Sequence, residues 1–394
     1  MVWAGLQRPL AGVKIVALEQ AVALPYCSFL LAELGAEVIK IERPVVGDVV
    51  RGWDDAVRGL STGYVWVNAG KQSVELDLAQ PTARKALREL VRQADVFAEN
   101  LGPGAAARLG LGEADLADQP QLIFLSLSGF GQDGPYKGMK AYDLIMQAES
   151  GILLTNGSPE EPAKVGLPIT DLIAGSNAAI GILTALFQRA STGQGARLDV
   201  AMLDSALPWL GYYPHHAWHS GAEPPRAGPR HQYIVPYGPY LAADGRDVCI
   251  VVADDRTWRA FCEQVIARPD WVTDPVMATI ASRRAHRDQA EAAVEAIIAG
   301  QASEYWIERL AAAGIPYGRV NRMTDVIRHP QALARQMFVE ADSPVGPVPL
   351  VRFPLAPPER VRRLPALGEH TAEILARVGY AVAGDGAVVG KDTQ

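Results

Sequence analysis

Cysteine is scarce in this sequence: Cys27, Cys249 and Cys262 are the only three among 394 residues, they lie far apart, and no C-x-x-C pair occurs. That excludes a disulfide scaffold and a structural zinc site, and fits buried thiols in a reducing compartment. Basic runs are missing too. No block of five or more Lys or Arg is present, and 37 basic against 44 acidic residues leave a net charge of -7, which argues against a nucleic-acid or membrane-surface partner. Met1 to Pro9 hold no long apolar core after a basic start, and no apolar run is read as long enough to span a membrane, so a cytoplasmic location is expected. Internal repeats, low-complexity tracts and a P-loop are absent; Gly390-Lys391 is followed by Asp392 rather than Ser or Thr.

Apolar residues, by contrast, make up 49% of the chain, enough for a large core, and the length predicts two domains. Strand-length apolar runs at Val13 to Leu18, Ala36 to Ile41, Val74 to Leu78, Asp95 to Ala98 and Leu122 to Leu127 alternate with helical patterns at Ser28 to Leu34 and Pro81 to Ala94. This rhythm predicts an α/β fold with a parallel sheet covered by helices. Gly221, Pro224, Pro225, Gly228 and Pro229 crowd into a linker, after which a second unit is expected. It should contain a strand at Val248 to Val252, a helix after Asp254 and Asp255 with Trp258, Phe261 and Val265 on its core face, and a last helix from Ser303 to Ala313 that stops at Gly314. The tail from Val382 to Gln394 is expected to fray.

Gly129, Gly131 and Gly134 spell G-x-G-x-x-G directly after the strand at Leu122 to Leu127, where a dinucleotide fingerprint would stand. Pro135 and Gly138 follow, so no helix begins where a pyrophosphate would need one, and a nicotinamide site is not expected. Asp171 is more informative. It ends the loop Gly166-Leu167-Pro168-Ile169-Thr170 and is expected to open a helix from Leu172 to Arg189. Asp is a preferred N-cap, and that alone would account for it; the same N-H groups could also steady an acyl oxyanion beside a nucleophilic carboxylate.

A series of blocks, in order, resembles the class III CoA-transferases, the family of formyl-CoA transferase and α-methylacyl-CoA racemase: Pro9-Leu10-Ala11-Gly12-Val13-Lys14-Ile15-Val16, Leu34-Gly35-Ala36-Glu37-Val38-Ile39-Lys40-Ile41-Glu42-Arg43-Pro44, Gly47-Asp48, Glu99-Asn100-Leu101-Gly102-Pro103-Gly104, and Leu367-Gly368-Glu369-His370-Thr371. The resemblance implies a large Rossmann-like parallel-sheet domain built from both chain ends (1–220 and 327–394), a smaller α+β domain (221–326, with its linker), and a homodimer of interlocked chains.

It also assigns residues. Asp171 matches the family Asp that attacks the acyl-CoA thioester and becomes acylated. Arg43 matches a CoA-binding arginine, Asn100 and Leu101 a pair near the pantetheine, and Arg108 a residue near the phosphates. Lys140, Ala141, Tyr142 and Asp143 match a Lys-x-Tyr-Glu-type run along the CoA channel beside the nucleophile, with Asp143 one carbon shorter than the common Glu. Leu76 to Ala79 match a backbone stretch near the adenine, although Ala79 stands where some relatives have lysine, so one contact there is expected to be missing or rebuilt. Met202 matches a methionine near CoA, a residue type that is also common core filler.

Departures from the pattern narrow the reaction. The racemase branch needs a His and a Glu to exchange a proton at the α-carbon; Tyr142 stands at the His position and Leu241 at the position taken for the Glu. The glycine run over the active site of formyl-CoA transferase is replaced by Tyr233-Ile234-Val235-Pro236-Tyr237-Gly238-Pro239, so formate and oxalate are not the expected substrates. The resemblance thus implies CoA transfer from an acyl-CoA, with succinyl-CoA as the expected donor, to a small dicarboxylate such as itaconate, mesaconate or glutarate. CoA and acyl-CoA enter as substrates, with no tightly bound cofactor and no metal. Arg226, Arg230 and His231 are candidates for pairing with a distal carboxylate, beside a plain linker role in their Pro-rich setting.

Overall fold

In a computed structural model of the chain, residues 7–384 and 386–390 are described. They divide into two compact units. The larger takes the chain up to Ile152, Val165–Tyr212 and everything from Pro330 on; the smaller takes Leu153–Lys164 and Tyr213–His329. The sequence places the first crossing at 220/221 and the second at 326/327. The excursion at Leu153–Lys164 carries a turn-rich run, Asn156-Gly157-Ser158-Pro159 with Pro162 after it, which the sequence reading did not take for a crossing.

The larger unit is built on six strands, β1 (Lys14–Leu18), β2 (Glu37–Glu42), β3 (Lys71–Glu75), β4 (Val96–Glu99), β5 (Ile123–Ser128) and β6 (Arg197–Ala201), in the order β3-β2-β1-β4-β5-β6. Every neighbouring pair is parallel. Parallel sheets are covered on both faces, which explains why β1 and β4 are buried almost throughout. Helix Ala23–Glu33 on one face is nearly all buried, whereas Pro81–Arg92 on the other buries only the stripe Ala83, Ala86, Leu87, Leu90 and Val91 and starts with proline in its first turn. Strand order reverses between β1 and β4, so the loops leaving these two strands part and open a crevice at their carboxyl ends.

The strand expected at Val74 to Leu78 lies earlier, at Lys71–Glu75. Its partner β2 ends at Glu42, whose carbonyl takes the Leu76 N-H, and Asp77 then turns the chain by accepting the Ala79 N-H. Leu76 to Ala79 therefore form a loop above the sheet. The tail is also better ordered than expected: Tyr380–Val382 pairs antiparallel with Val388–Gly390, and Val388 packs on the core, while 391–394 lie outside the described residues.

Helix Ile169–Thr192 joins β5 to β6 and ends at Gly193, whose positive φ of 70° closes the cap by an N-H donated to Arg189. By length and composition it is apolar enough to cross a membrane, contrary to the sequence reading. Here it is a core helix: Ile173, Ala174, Ala178, Ala179, Ile182 and Ala185 are buried. Gly175 lets it approach helix Ala23–Glu33 so closely that a Cβ would lie 2.4 Å from the Ala23 carbonyl oxygen.

In the smaller unit, β7 (Tyr237–Leu241), β8 (Asp247–Val251) and β9 (Tyr317–Arg319) form an antiparallel sheet in the order β7-β8-β9. Tyr240, Val248, Ile250, Trp258, Phe261, Val265 and Leu310 fill its core. The segment Gly221 to Pro229 carries no helix or strand, and Ser303–Ala312 is helical up to the positive φ of Gly314.

Candidate active site

The crevice predicted by the strand order is present as a cavity of about 430 Å³ at the carboxyl ends of β1 to β4. Leu18 at the end of β1 with Glu19 and Gln20 after it, Arg43 and Pro44 after β2, Leu76 to Ala79 after β3 and Leu101 after β4 line it. Asn100 stands behind: it accepts the Gln20 N-H and donates to the Gln20 carbonyl, both at 2.9 Å, which ties the turn after β1 to the turn after β4. Arg43 is exposed and so is able to meet an anion. Arg108, at the end of the short helix Ala105–Arg108, is exposed and does not line the cavity.

Charge is concentrated behind this wall in a way the sequence reading did not single out. Val38, Lys40 and Glu42 alternate onto one face of β2, and Lys71 and Ser73 share that face on β3. Lys40 Nζ meets Asp48 at 2.6 Å and Glu19 at 3.4 Å, and Lys71 Nζ meets Glu19 at 2.7 Å. Arg51 reaches both oxygens of Glu42 at 2.8 Å. Burial opposes the charge of Glu42, but the Arg51 hydrogen bonds and the Lys40 charge prevail and hold its carboxyl at about 2. Burial lowers Lys71 to about 8 against the pull of Glu19. The signal available in sequence was a lysine inside an apolar strand, Val38-Ile39-Lys40-Ile41, where lysine is hardly ever buried unless paired.

Asp171 is not the N-cap. The helix begins two residues earlier, at Ile169, with Pro168 in the cap position and no side-chain cap of its own. The cap comes from elsewhere: Asp143 Oδ1 accepts both the Thr170 N-H, at 2.9 Å, and the Thr170 hydroxyl, at 2.8 Å. Gln147 Nε2 holds the other Asp143 oxygen at 2.8 Å, and its own amide oxygen accepts the Val165 N-H. With that duty met, the half-buried Asp171 carboxylate has no hydrogen bond or ion pair among the described residues. Burial, and secondly the charge of Asp143, push it up to about 7.

Tyr142 precedes the helix Asp143–Glu149 and is 71% exposed; Lys140 is exposed as well. Ala141 packs against the end of β5, where a Cβ on Gly129 would lie 2.1 Å from its own Cβ. The glycine of the false dinucleotide pattern thus has a packing reason, and no helix starts between β5 and Asp143. Met202, by contrast, is 5% exposed in the main core, the filler role rather than an open contact.

Within the smaller unit Arg230 is not a free cation. It pairs with Glu295 and with Glu291 at 3.2 Å, and lies over the Tyr240 ring. Arg226 donates to the carbonyls of Ser158 and Pro159. His231 stacks on Tyr237, its Nδ1 accepts the N-H groups of Tyr233 and Ile234, and burial followed by the Arg287 charge lowers its pKa. Leu241 is exposed on β7.

A crevice at the switch point and an unpaired carboxylate with a raised pKa on one α/β unit invite comparison with known proteins. The chain is 36% identical over 346 residues, 86% of its length and 87% of the relative's, to an acetyl-CoA:oxalate CoA-transferase of Acetobacter aceti. To the succinyl-CoA:glutarate CoA-transferase of Homo sapiens it is 32% identical, covering 94% of this chain and 86% of the other. A crystal structure of a CAIB/BAIF family protein from Brucella suis superposes with a TM-score of 0.84 at 33% identity, covering 94% of this chain and all of that one. The pattern of CoA-transferase family III matches residues 10–371. The protein therefore belongs to CoA-transferase family III.

Proposed function

We propose that this protein moves CoA from an acyl-CoA donor, succinyl-CoA in the first instance, to a small dicarboxylate such as glutarate, mesaconate or itaconate, with Asp171 as the nucleophile. The observation that carries this reading is the division of labour between two carboxylates: Asp143 caps the helix, and Asp171 is left unpaired with a raised pKa. A more basic carboxylate is a better nucleophile once ionised.

An Asp171 oxygen attacks the thioester carbonyl, the C-S bond breaks, and CoA leaves as thiolate from a mixed anhydride. The thiolate then attacks the Asp171 carbonyl carbon, expelling the donor's carboxylate and leaving an aspartyl-CoA thioester. The acceptor carboxylate attacks that thioester, and the returning thiolate takes the acceptor's acyl group, restoring Asp171. Each exchange trades one acyl bond for another, so neither a redox group nor a metal enters the balance. Arg43, Leu76 and Ala79 hold the nucleotide end in the crevice and Leu101 the pantetheine, with Asn100 bracing the wall.

Relatives named for glutarate, mesaconate and D-citramalate support a dicarboxylate acceptor. The oxalate relative is the specific observation for a second acceptor, and it weighs against dismissing oxalate on the missing glycine run alone. A homodimer in a cytoplasmic setting completes the reading; Ile180 and Phe187, 61% and 82% exposed on the outer face of helix Ile169–Thr192, are apolar surface for a second copy to cover. Mass spectrometry after incubation with succinyl-CoA, then with each acid, tests the whole scheme. An adduct on the peptide containing Asp171 and transfer to a dicarboxylate are expected; transfer without any adduct at Asp171 would sink the covalent route.

A further inference from the structure

Glu19, Glu42 and Asp48 belong to the wall of the crevice, yet their carboxylates are fully buried behind it. A ligand carrying phosphates would meet that wall. Three uncompensated carboxylates in a low-dielectric interior would repel it. Lys40, Lys71 and Arg51 answer them one for one.

Lys40 has a second task. It is 1% exposed and bridges Glu19, in the turn after β1, to Asp48, in the loop after β2. Asp48 in turn accepts the Ala21 N-H at 2.9 Å and the Val50 N-H at 3.1 Å. Both segments are held in conformations that side chains disfavour: Ala21 has φ 62° and Val45 has φ 69°. Such backbone persists only where its surroundings hold it, and Asp48 with its lysine is what joins the two segments. Arg43 stands at the start of the second one.

We propose that Lys40 is a positioning residue for the CoA site: its buried ammonium clamps the loop that carries Arg43 and cancels carboxylate charge behind a wall that accepts phosphates. This rests on the CoA reading above. A role in positioning predicts selective damage. Binding of the nucleotide end suffers, while the pantetheine arm, which has no phosphate or adenine, does not.

The test is calorimetric titration of the full chain with CoA and with pantetheine. In Lys40→Met, CoA binding is expected to weaken about tenfold or more, because Asp48 loses its cation, with pantetheine binding unchanged. In Asp48→Asn the amide keeps an oxygen for Ala21, but its nitrogen replaces the oxygen that Lys40 grips, so the clamp opens and the preference for CoA over pantetheine should also fall, by less than in Lys40→Met because one buried negative charge is gone. The second variant decides the matter if Lys40→Met does not fold. Equal weakening of both ligands in Lys40→Met, unchanged CoA binding in it, or an unchanged preference in Asp48→Asn would overturn the proposal. Wild-type protein that binds no CoA would instead overturn the CoA reading itself.

Discussion

Asp143 and Thr170 are joined twice through one carboxylate oxygen, by the Thr170 N-H at 2.9 Å and its hydroxyl at 2.8 Å, one residue ahead of Asp171. The helix is thus capped by a side chain from a different helix, 27 residues earlier. A cap of this kind contributes about 1 kcal/mol, and the same charge raises the pKa of Asp171.

Asp143→Asn keeps an acceptor for Thr170 and removes that charge. Asp171 should then ionise more readily, and the acid limb of the kcat/KM profile, expected near pH 7 in the wild type, should move to lower pH. A profile unchanged in position would show that Asp143 does not act on Asp171 electrostatically.

Asp171→Asn should abolish CoA transfer by several orders of magnitude while raising stability. The folded-state pKa of Asp171 lies above its ordinary value of 3.8, so the ionised group opposes folding; that penalty is fully present above about pH 7 and disappears as pH falls toward 3.8. Thermal melts should place the variant above the wild type at pH 8 and merge the two near pH 4. A variant that melts lower at pH 8 would mean that the ionised carboxylate is held by partners instead.

Gly175→Ala should destabilise the larger unit by about 1 to 3 kcal/mol, since the new methyl meets the Ala23 carbonyl oxygen at 2.4 Å and the helices must part. Asp171 sits one turn ahead of Gly175, so kcat should fall with stability. Denaturant unfolding and steady-state kinetics on one preparation check both.

Arg230→Leu should act on the fold of the smaller unit. It removes a partner from the buried Glu291, at a cost of about 1 to 3 kcal/mol, offset in part by Arg287, which lies 3.3 Å from the same carboxylate. The melting temperature should drop, and the ratio of specificity constants for succinate and butyrate should hold. A ratio that collapses would return Arg230 to substrate recognition.

No α-proton exchange is expected when a 2-methylacyl-CoA is incubated with the enzyme in deuterated water. This follows from the resemblance, which sets Tyr142 and Leu241 where the racemase branch has its acid/base pair. Deuterium at the α-carbon appearing as fast as transfer would favour the racemase branch.

Sheet and helix periodicity and local punctuation were legible in the sequence: the apolar runs became β1, β2, β4 and β5 within a residue or two, Pro81 opened its helix and Gly314 closed another. These are properties of adjacent residues, set by backbone sterics and by the period at which side chains meet a core. The blocks from Pro9 to Thr371 likewise sufficed to identify the family. Tertiary structure alone decided which carboxylate caps the helix and which is left unpaired, because Asp143 and Thr170 are distant in sequence and any Asp near a helix start reads as a cap. It alone paired Lys40 with Glu19 and Asp48, and Arg230 with Glu291 and Glu295. A charge reads the same in sequence whether it faces water or a buried partner; only folding brings the partner within reach and removes the water between them.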